Sequence, residues 1–195
     1  MSYLVKESRM GDTDEDKVWV LQSRNGDPAA FEALIRTHQR MIHSLTFRMT
    51  GSMEDAEDLA QEAFIRAYRQ LDSYQGTAKF SSWLYRIAVN ACLNWRQREM
   101  RREQVYASWA ESNDALRSGP EPLAGEDAPG REVQSALMKL PAKQRAAIVL
   151  TVYDGHNHAE AAKILGCSET TVSWRVFAAR RKLKRWLSAK GGRNE

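Results

Sequence analysis

Apolar residues recur along this chain at intervals of three and four, which is the spacing of one buried face of an α-helix. The pattern is clearest near the N-terminus, where its members are Phe31, Leu34, Ile35, Met41, Ile42, Leu45 and Met49. No segment alternates apolar and polar residues between turn dipeptides, as a half-buried strand would. The spacing therefore predicts an all-α protein.

A stretch rich in proline and glycine, residues 118–130, interrupts the helical pattern. It is acidic and contains few aliphatic residues, which is typical of a flexible linker. We therefore predict an N-terminal segment over 1–25, a helical domain over 26–104, a linker over 105–130 and a second helical domain over 131–190. Each of the two small domains is long enough to bury a core.

Capping and helix-breaking residues indicate where the helices begin and end. Asp27, followed by proline, starts a helix that Gly51 ends, and Ser52 starts the next helix. A third helix begins at Ser81 and continues to about Arg102. In the second domain, the predicted helices cover 131–140, 141–153, 158–165 and 169–189.

The most specific local signal lies between residues 158 and 181. Ala162, Gly166 and Val172 have the spacing of a helix-turn-helix, with a small residue at the helix crossing, glycine in the turn and an apolar anchor on the second helix. Residues 132–195 contain 12 Lys and Arg against 5 Asp and Glu, whereas the whole chain has a net charge of +4. Together, the turn and the local basic excess predict binding to DNA, and the alternative is a helical hairpin with a solvated basic face.

A helical wheel divides the second helix of this motif into two faces. The face predicted to point inward consists of Val172, Val176, Ala179 and Leu183. The predicted DNA-binding residues are Thr170, Thr171, Ser173, Trp174, Arg175, Phe177, Arg180, Arg181 and Lys184. Basic side chains at the edges of such a face suit phosphate contacts, which position a helix without recognising sequence.

The third helix of the first domain has an outer face that combines aromatic, amide and basic residues. With the preceding loop, it supplies the predicted single-strand contacts Tyr74, Lys79, Phe80, Trp83, Arg86, Asn90, Asn94 and Arg98. Aromatic rings stack on unpaired bases, amides contact base edges and arginines hold the backbone. The alternative is that Trp83 and Tyr85 pack against neighbouring helices.

The second helix has an acidic outer face that includes Asp55, Asp58 and Glu62. This charge would repel DNA, so the face predicts a different partner, such as a basic protein surface. The alternative is a solvated face with a favourable helix dipole at its N-terminus.

Several classes of protein are disfavoured. The chain lacks an apolar run of about 18 residues, and its N-terminus lacks the apolar stretch of a secretory signal. Cys92 and Cys167 are isolated, and His156 and His158 have no clear third metal ligand. There is no glycine-rich phosphate loop and no nucleophile paired with a base. We expect a cytoplasmic protein that is not an enzyme and needs neither cofactor nor metal.

Three segments in order, residues 55–71, 80–94 and 140–150 followed by the helix-turn-helix, resemble a known family. They are similar to the core-polymerase-binding helix, the promoter-melting helix and the minus-thirty-five domain of bacterial extracytoplasmic-function sigma factors. The similarity spans about 26–187. It implies a sigma factor that binds core RNA polymerase and directs promoter-specific transcription initiation. The alternative is a stand-alone helix-turn-helix regulator that binds duplex operator DNA.

The resemblance also implies partners and residue roles. A coiled coil of the largest polymerase subunit would contact Asp55, Asp58, Leu59, Gln61, Glu62 and Ile65. Tyr74 and Asn90 would line a pocket for a flipped minus-ten base, and an anti-sigma factor would restrain the protein. Trp174 departs from the family pattern, which often has Lys or Arg there, so the minus-thirty-five sequence is left open.

Overall fold

The computed structural model describes the backbone of residues 14–112 and 128–191, and in those ranges every regular element is helical. The α-helices are α1 (Asp14–Arg24), α2 (Pro28–Thr50), α3 (Met53–Arg69), α4 (Phe80–Ser112), α5 (Ala128–Met138), α6 (Ala142–Ile148), α7 (His158–Leu165) and α8 (Glu169–Gly191). A 3-10 turn covers Leu71–Ser73, and a π-helical turn covers Val149–Tyr153. The predicted all-α fold is confirmed.

The caps of α2 and α3 follow the sequence signals. The Asp27 carboxylate accepts a hydrogen bond of 2.9 Å from the Ala29 amide, and Gly51 ends α2 with a left-handed φ of 77°. The Ser52 hydroxyl accepts a hydrogen bond of 3.2 Å from the Asp55 amide at the start of α3. Gly51 also lies against Met138, and a Cβ there would come within 2.9 Å of the Met138 Sδ atom.

Two helices differ from the sequence-based boundaries. The N-terminal segment contains α1, which was not predicted and which packs along α2. The third predicted helix, α4, extends beyond Arg102 to Ser112 and so enters the predicted linker. The central part of that linker, residues 113–127, lies outside the described residues, and the division into two domains stays a prediction.

Helices α2, α3 and α4 share an apolar core in which Ile42, Leu45, Ala63 and Leu84 are fully buried. The stripe predicted for α2 therefore faces the core. On α4, Ala88 and Ala91 are buried and Trp95 is half-buried. This packing directs the opposite side of α4 toward solvent.

The helix-turn-helix consists of α7 and α8. The Asn157 side chain and Glu160 form a capping box at the start of α7, and Gly166 ends α7 with a φ of 60°. Val172 and Val176, on the inner face of α8, are buried. The predicted turn and the inward face of the second helix are therefore present.

The C-terminal helices also pack against the N-terminal ones. Arg145 is 1% exposed. Its guanidinium donates hydrogen bonds to the carbonyl oxygens of Leu137, Met138 and Leu140, at and just after the end of α5. It also donates to the Met49 carbonyl oxygen on α2, which joins the C-terminal half of the chain to the N-terminal half. Burial lowers the pKa of Arg145 to about 10, so the side chain is still charged at neutral pH. A buried cation is stabilised when its donors are satisfied in this way.

Candidate functional site

The outer face of α8 is largely solvent-exposed, as its sequence predicts. Trp174 is 62% exposed and Phe177 is 64% exposed, and the Arg181 guanidinium lies 5.9 Å from the centre of the Phe177 ring. Thr170, Arg180 and the other predicted contacts on this face are exposed as well, except that Thr171 and Arg175 are half-buried. Two aromatic rings beside cationic side chains form a surface suited to contact both bases and phosphates.

Local hydrogen bonds hold the beginning of α8. The Ser168 hydroxyl accepts a hydrogen bond of 3.2 Å from the Thr171 amide. The Ser173 hydroxyl lies 2.8 Å from Nδ1 of His158, which sequence reasoning did not include in the site. Arg175 lies with Nη1 3.4 Å from the Cys167 Sγ atom. These contacts fix the beginning of α8 against α7 and the turn.

The loop before α4 is organised by an aromatic cluster of Tyr74, Phe80 and Trp83. The ring centroids of these three residues are 5.4 to 5.6 Å apart. Tyr74 is only 6% exposed, and its hydroxyl donates a hydrogen bond of 2.6 Å to the Ala78 carbonyl. Trp83 is half-buried and forms the outer part of the cluster.

Phe80 is 1% exposed and belongs to the core, so its side chain is covered in this conformation and its contact with DNA stays a prediction. Its ring packs 5.4 Å from the His38 ring and supports the cluster from below. The physical reason is that Phe80 is the first residue of α4, where its side chain points into the space between α2 and α4.

The outer face of α4 presents a continuous row of polar side chains. Its exposed residues are Arg86, Asn90, Asn94 and Arg98, with Lys79 exposed in the preceding loop. The residues on the helix are four apart, so they lie on one side of it at successive turns. This arrangement places amide and guanidinium groups where they can contact a strand that runs along the helix.

The acidic face of α3 is also present. Asp58 and Gln61 are exposed, Ile65 is 46% exposed, and Asp55 and Glu62 are half-buried. Leu59 is 3% exposed and packs in the core, so its side chain is not part of this exposed face and its contact with the polymerase stays a prediction. It follows Asp58 by one residue, which rotates its side chain by about 100° toward α2.

An apolar groove adjoins this acidic face and was not predicted. It lies between α2 and α3, has a volume of about 1340 Å³, and is lined by residues that include Phe31, Ile35, Gln61, Phe64, Ile65 and Tyr68. The Phe31 and Tyr68 rings meet edge to face at 4.9 Å. The sequence signal was present, since Phe31 and Ile35 belong to the apolar stripe of α2.

The described residues offer no metal site. Among them, no group of three or more His, Cys, Asp and Glu side chains could hold a metal ion. Burial raises the pKa of the Cys92 thiol to about 12, which keeps it protonated and unreactive. In the part of the chain that is described, no helix has both the length and the apolar character of a membrane span.

Two family models match the chain. Sigma-70 region 2 matches residues 34–102, and Sigma-70, region 4 matches residues 130–183. The ECF RNA polymerase sigma factor SigM of Mycobacterium tuberculosis is 39% identical over 162 residues, covering 83% of this chain and 79% of SigM. The ECF RNA polymerase sigma-E factor of Escherichia coli K12 is 39% identical over 173 residues, covering 85% of this chain and 90% of that protein.

Solved structures share the fold. CnrH, in complex with the cytosolic domain of CnrY, matches with a TM-score of 0.66 and 28% identity over 90% of this chain and 99% of that one. RpoE, in complex with the anti-sigma factor NepR from Bartonella quintana, matches with a TM-score of 0.62 over 81% of this chain and 96% of that one. Its identity is 24%, so this second likeness concerns the fold alone.

Proposed function

Because this chain belongs to the extracytoplasmic-function sigma factors, which direct promoter-specific transcription initiation, we propose which of its surfaces performs each step. The observation that carries the proposal is that three exposed faces of one helical fold differ in chemistry. One is basic and aromatic, one combines amides with arginines, and one is acidic beside an apolar groove.

The face of α8 recognises the minus-thirty-five element as duplex DNA. A helix-turn-helix places its second helix in the major groove. Trp174 and Phe177 lie at the centre of this face and can contact thymine methyl groups, while Arg180, Arg181 and Lys184 contact phosphates. The remaining predicted contacts are Thr170, Thr171, Ser173 and Arg175.

The face of α4 recognises the minus-ten element as a separated strand. Asn90 and its neighbours at successive turns supply edge contacts and phosphate contacts, with Trp83 beside them for stacking. Tyr74 lies behind Trp83 in the same aromatic cluster, so a base that stacks on Tyr74 requires the Trp83 side chain to move aside.

The acidic face of α3 and the adjacent groove bind core RNA polymerase. Asp58 and Gln61 supply the polar contacts, and Ile65 connects them to the apolar lining of the groove. A basic helix pair with apolar residues along its seam fits both parts of this surface. The stand-alone regulator has no use for such a surface, which is why the sigma factor is favoured over it.

The chain performs no covalent chemistry itself and acts in the bacterial cytoplasm, where the polymerase is. We further propose that an anti-sigma factor covers part of the exposed apolar surface when the protein is inactive. Trp174 and Phe177 are costly to expose on a free protein, which gives such a partner an apolar target.

Run-off transcription tests the function directly. Core polymerase is incubated with a library of duplex fragments, with and without this protein, and the transcripts are sequenced. We expect start sites that appear only when the protein is added, each preceded by shared elements near minus-ten and minus-thirty-five. If added protein lowers transcription without creating new start sites, the chain acts as an operator-binding regulator instead.

A further inference from the structure

Helix α1 lies outside residues 34–102, where the Sigma-70 region 2 model matches, yet it is bonded to the loop before α4. The contact is made by Arg24, in the last turn of α1. Its Nε and Nη2 atoms donate hydrogen bonds of 3.2 and 2.8 Å to the Leu71 carbonyl oxygen. Nη2 also donates to the carbonyl oxygen of Tyr74.

The carbonyls of Leu71 and Tyr74 lie at the two ends of residues 71–74, the part of the loop that includes Tyr74. Within the loop, the Tyr74 hydroxyl also donates a hydrogen bond to the Ala78 carbonyl. A guanidinium is planar and presents its donors in a fixed fork, so one side chain can set the spacing of two acceptors. Arg24 therefore fixes the loop against a helix that lies outside it.

A second contact joins α1 to the aromatic cluster from the other side. Nε2 of His38 lies 3.1 Å from both carboxylate oxygens of Asp16, and both side chains are buried. The His38 ring packs against Phe80, which contacts Tyr74 and Trp83. Helix α1 thus supports both the backbone of the loop and its rings.

We propose that α1 is the scaffold of the loop before α4, which carries Tyr74, and that Arg24 is a positioning residue for recognition of a minus-ten base. This inference rests on the proposed role of α4 in recognising the minus-ten strand. A loop that is ordered before binding loses less conformational freedom when a base enters, and it holds Tyr74 and Asn90 in one relative geometry. Without Arg24, the pocket still forms but adopts more than one geometry, so it discriminates less well between bases.

A purely structural role for Arg24 makes a different prediction. A loss of folded protein lowers transcription from every promoter by the same factor, because only the folded fraction is active. It leaves the ratio between promoters unchanged. Arg24 is exposed, so its removal does not open a cavity in the core. The ratio between promoters that differ by one minus-ten base therefore isolates the positioning role.

The experiment uses the full chain with core polymerase and the strongest duplex promoter found in the run-off library. Each minus-ten position is changed to all four bases, and open-complex formation is measured for every duplex. For each minus-ten position, the ratio of open-complex formation with the best base to that with the worst base measures discrimination. We expect Arg24→Gln to reduce this ratio at least threefold, with unchanged affinity for core polymerase. Arg36→Gln is the matched control, because Arg36 is an exposed arginine of α2 that pairs with Glu32, and it should keep the wild-type ratio.

If Arg24→Gln does not fold, Arg24→Lys keeps the charge but loses the planar fork, and it should reduce the same ratio by a smaller factor. A wild-type ratio in the folded Arg24 variant overturns the inference. Asn90→Ala separates this failure from failure of the proposed function. If Asn90→Ala reduces the ratio and the Arg24 variant does not, only the role of Arg24 is wrong. If neither changes it, the assignment of the minus-ten face is wrong.

Discussion

At the scale of single residues, burial decides which sequence-based assignments can hold. Phe80 and Leu59 were assigned to partner contacts, yet both lie in the core. Each directly follows an exposed residue, Lys79 before Phe80 and Asp58 before Leu59. A resemblance identifies the motif without identifying which way each side chain points. The exposed residues of α8 and α4 were predictable because the 3.6-residue period separates inward from outward positions along a helix.

Trp174 is the residue whose role the sequence leaves most open, and we predict that it contacts DNA. Trp174→Ala should lower affinity for the cognate minus-thirty-five duplex by about 1–3 kcal/mol, the scale of one lost base contact. Nonspecific affinity and its salt dependence should hardly change, since no phosphate contact is lost. Fluorescence anisotropy at several salt concentrations measures both quantities.

The matched variant is Arg180→Ala on the same exposed helix. It should weaken binding to all sequences alike and make the salt dependence shallower, because it removes a phosphate contact. If Trp174→Ala leaves the cognate duplex unaffected but weakens binding to an anti-sigma factor, Trp174 belongs to the protein interface instead.

Asn90 should act when the strands separate. Flipping a base costs a few kcal/mol, which edge contacts from the pocket must offset. We expect Asn90→Ala to reduce open-complex formation on duplex promoters more than on templates already melted at the minus-ten element. Gln22→Ala, which removes an exposed amide from α1, should behave as wild type on both. An equal loss on both templates would indicate a folding defect.

At the scale of elements, helices with strong caps and a clear apolar stripe were predictable, and α1 was not. Its four apolar residues are consecutive and so form no stripe, and two of them are exposed, Val18 at 51% and Leu21 at 60%. The buried residues of α1 instead include the polar residues Asp16 and Ser23, which an apolar pattern cannot detect. Helix α4 was predicted too short because linker composition, and not a helix-breaking residue, set its end.

The surface of α3 gives the prediction for polymerase binding. The double variant Asp58→Arg with Gln61→Ala should weaken association with core polymerase by several kcal/mol, since it reverses one charge in a complementary interface. Binding of the same full-length variant to the minus-thirty-five duplex should be unchanged. Both affinities can be measured on one preparation.

Glu132→Arg is the control for the charge change, because Glu132 is an exposed carboxylate on α5, away from the groove. It should retain wild-type affinity for the polymerase. Unaltered co-purification of the α3 double variant with core polymerase would show that this surface serves another purpose.

At the scale of the whole molecule, the packing of the two halves could not be predicted from the sequence. Its contacts use backbone carbonyls and isolated polar groups, such as the Gln134 side chain, which donates a hydrogen bond of 3.0 Å to the Phe47 carbonyl. The Tyr153 ring lies 4.6 Å below the Arg48 guanidinium, and the His156 ring meets Tyr85 edge to face at 4.7 Å. Of these residues, only Tyr85 was considered for packing from the sequence, as the alternative to a nucleic-acid face on α4.

Asp154 is one of the titratable groups at this contact. It accepts a hydrogen bond from Tyr85 on α4, while its Oδ2 atom is buried with no hydrogen-bond partner among the described residues. Burial raises the pKa of Asp154 to about 7, although Arg48 nearby opposes the shift. Burial also raises the pKa of Tyr85, so its phenol stays protonated and remains a donor.

The raised pKa links the stability of the whole molecule to pH. Between about pH 4 and pH 7, the folded protein retains the Asp154 proton that the unfolded chain has lost. The contribution of Asp154 to the free energy of unfolding therefore falls as pH rises through this range and levels off above it. Because Asp154 is partly exposed, we expect a fall of roughly 1–3 kcal/mol.

Asp154→Asn tests this linkage, because the amide oxygen can still accept from Tyr85 but no longer titrates. The variant should be more stable than the wild type at pH 8, and the fall in stability between pH 5 and 8 that Asp154 causes should be absent from it. Urea unfolding followed by circular dichroism at both pH values measures the difference. Asp72→Asn, at an exposed carboxylate in the loop before α4, should keep the wild-type pH dependence. If Asp154→Asn keeps it too, another group at the contact between the two halves binds the proton.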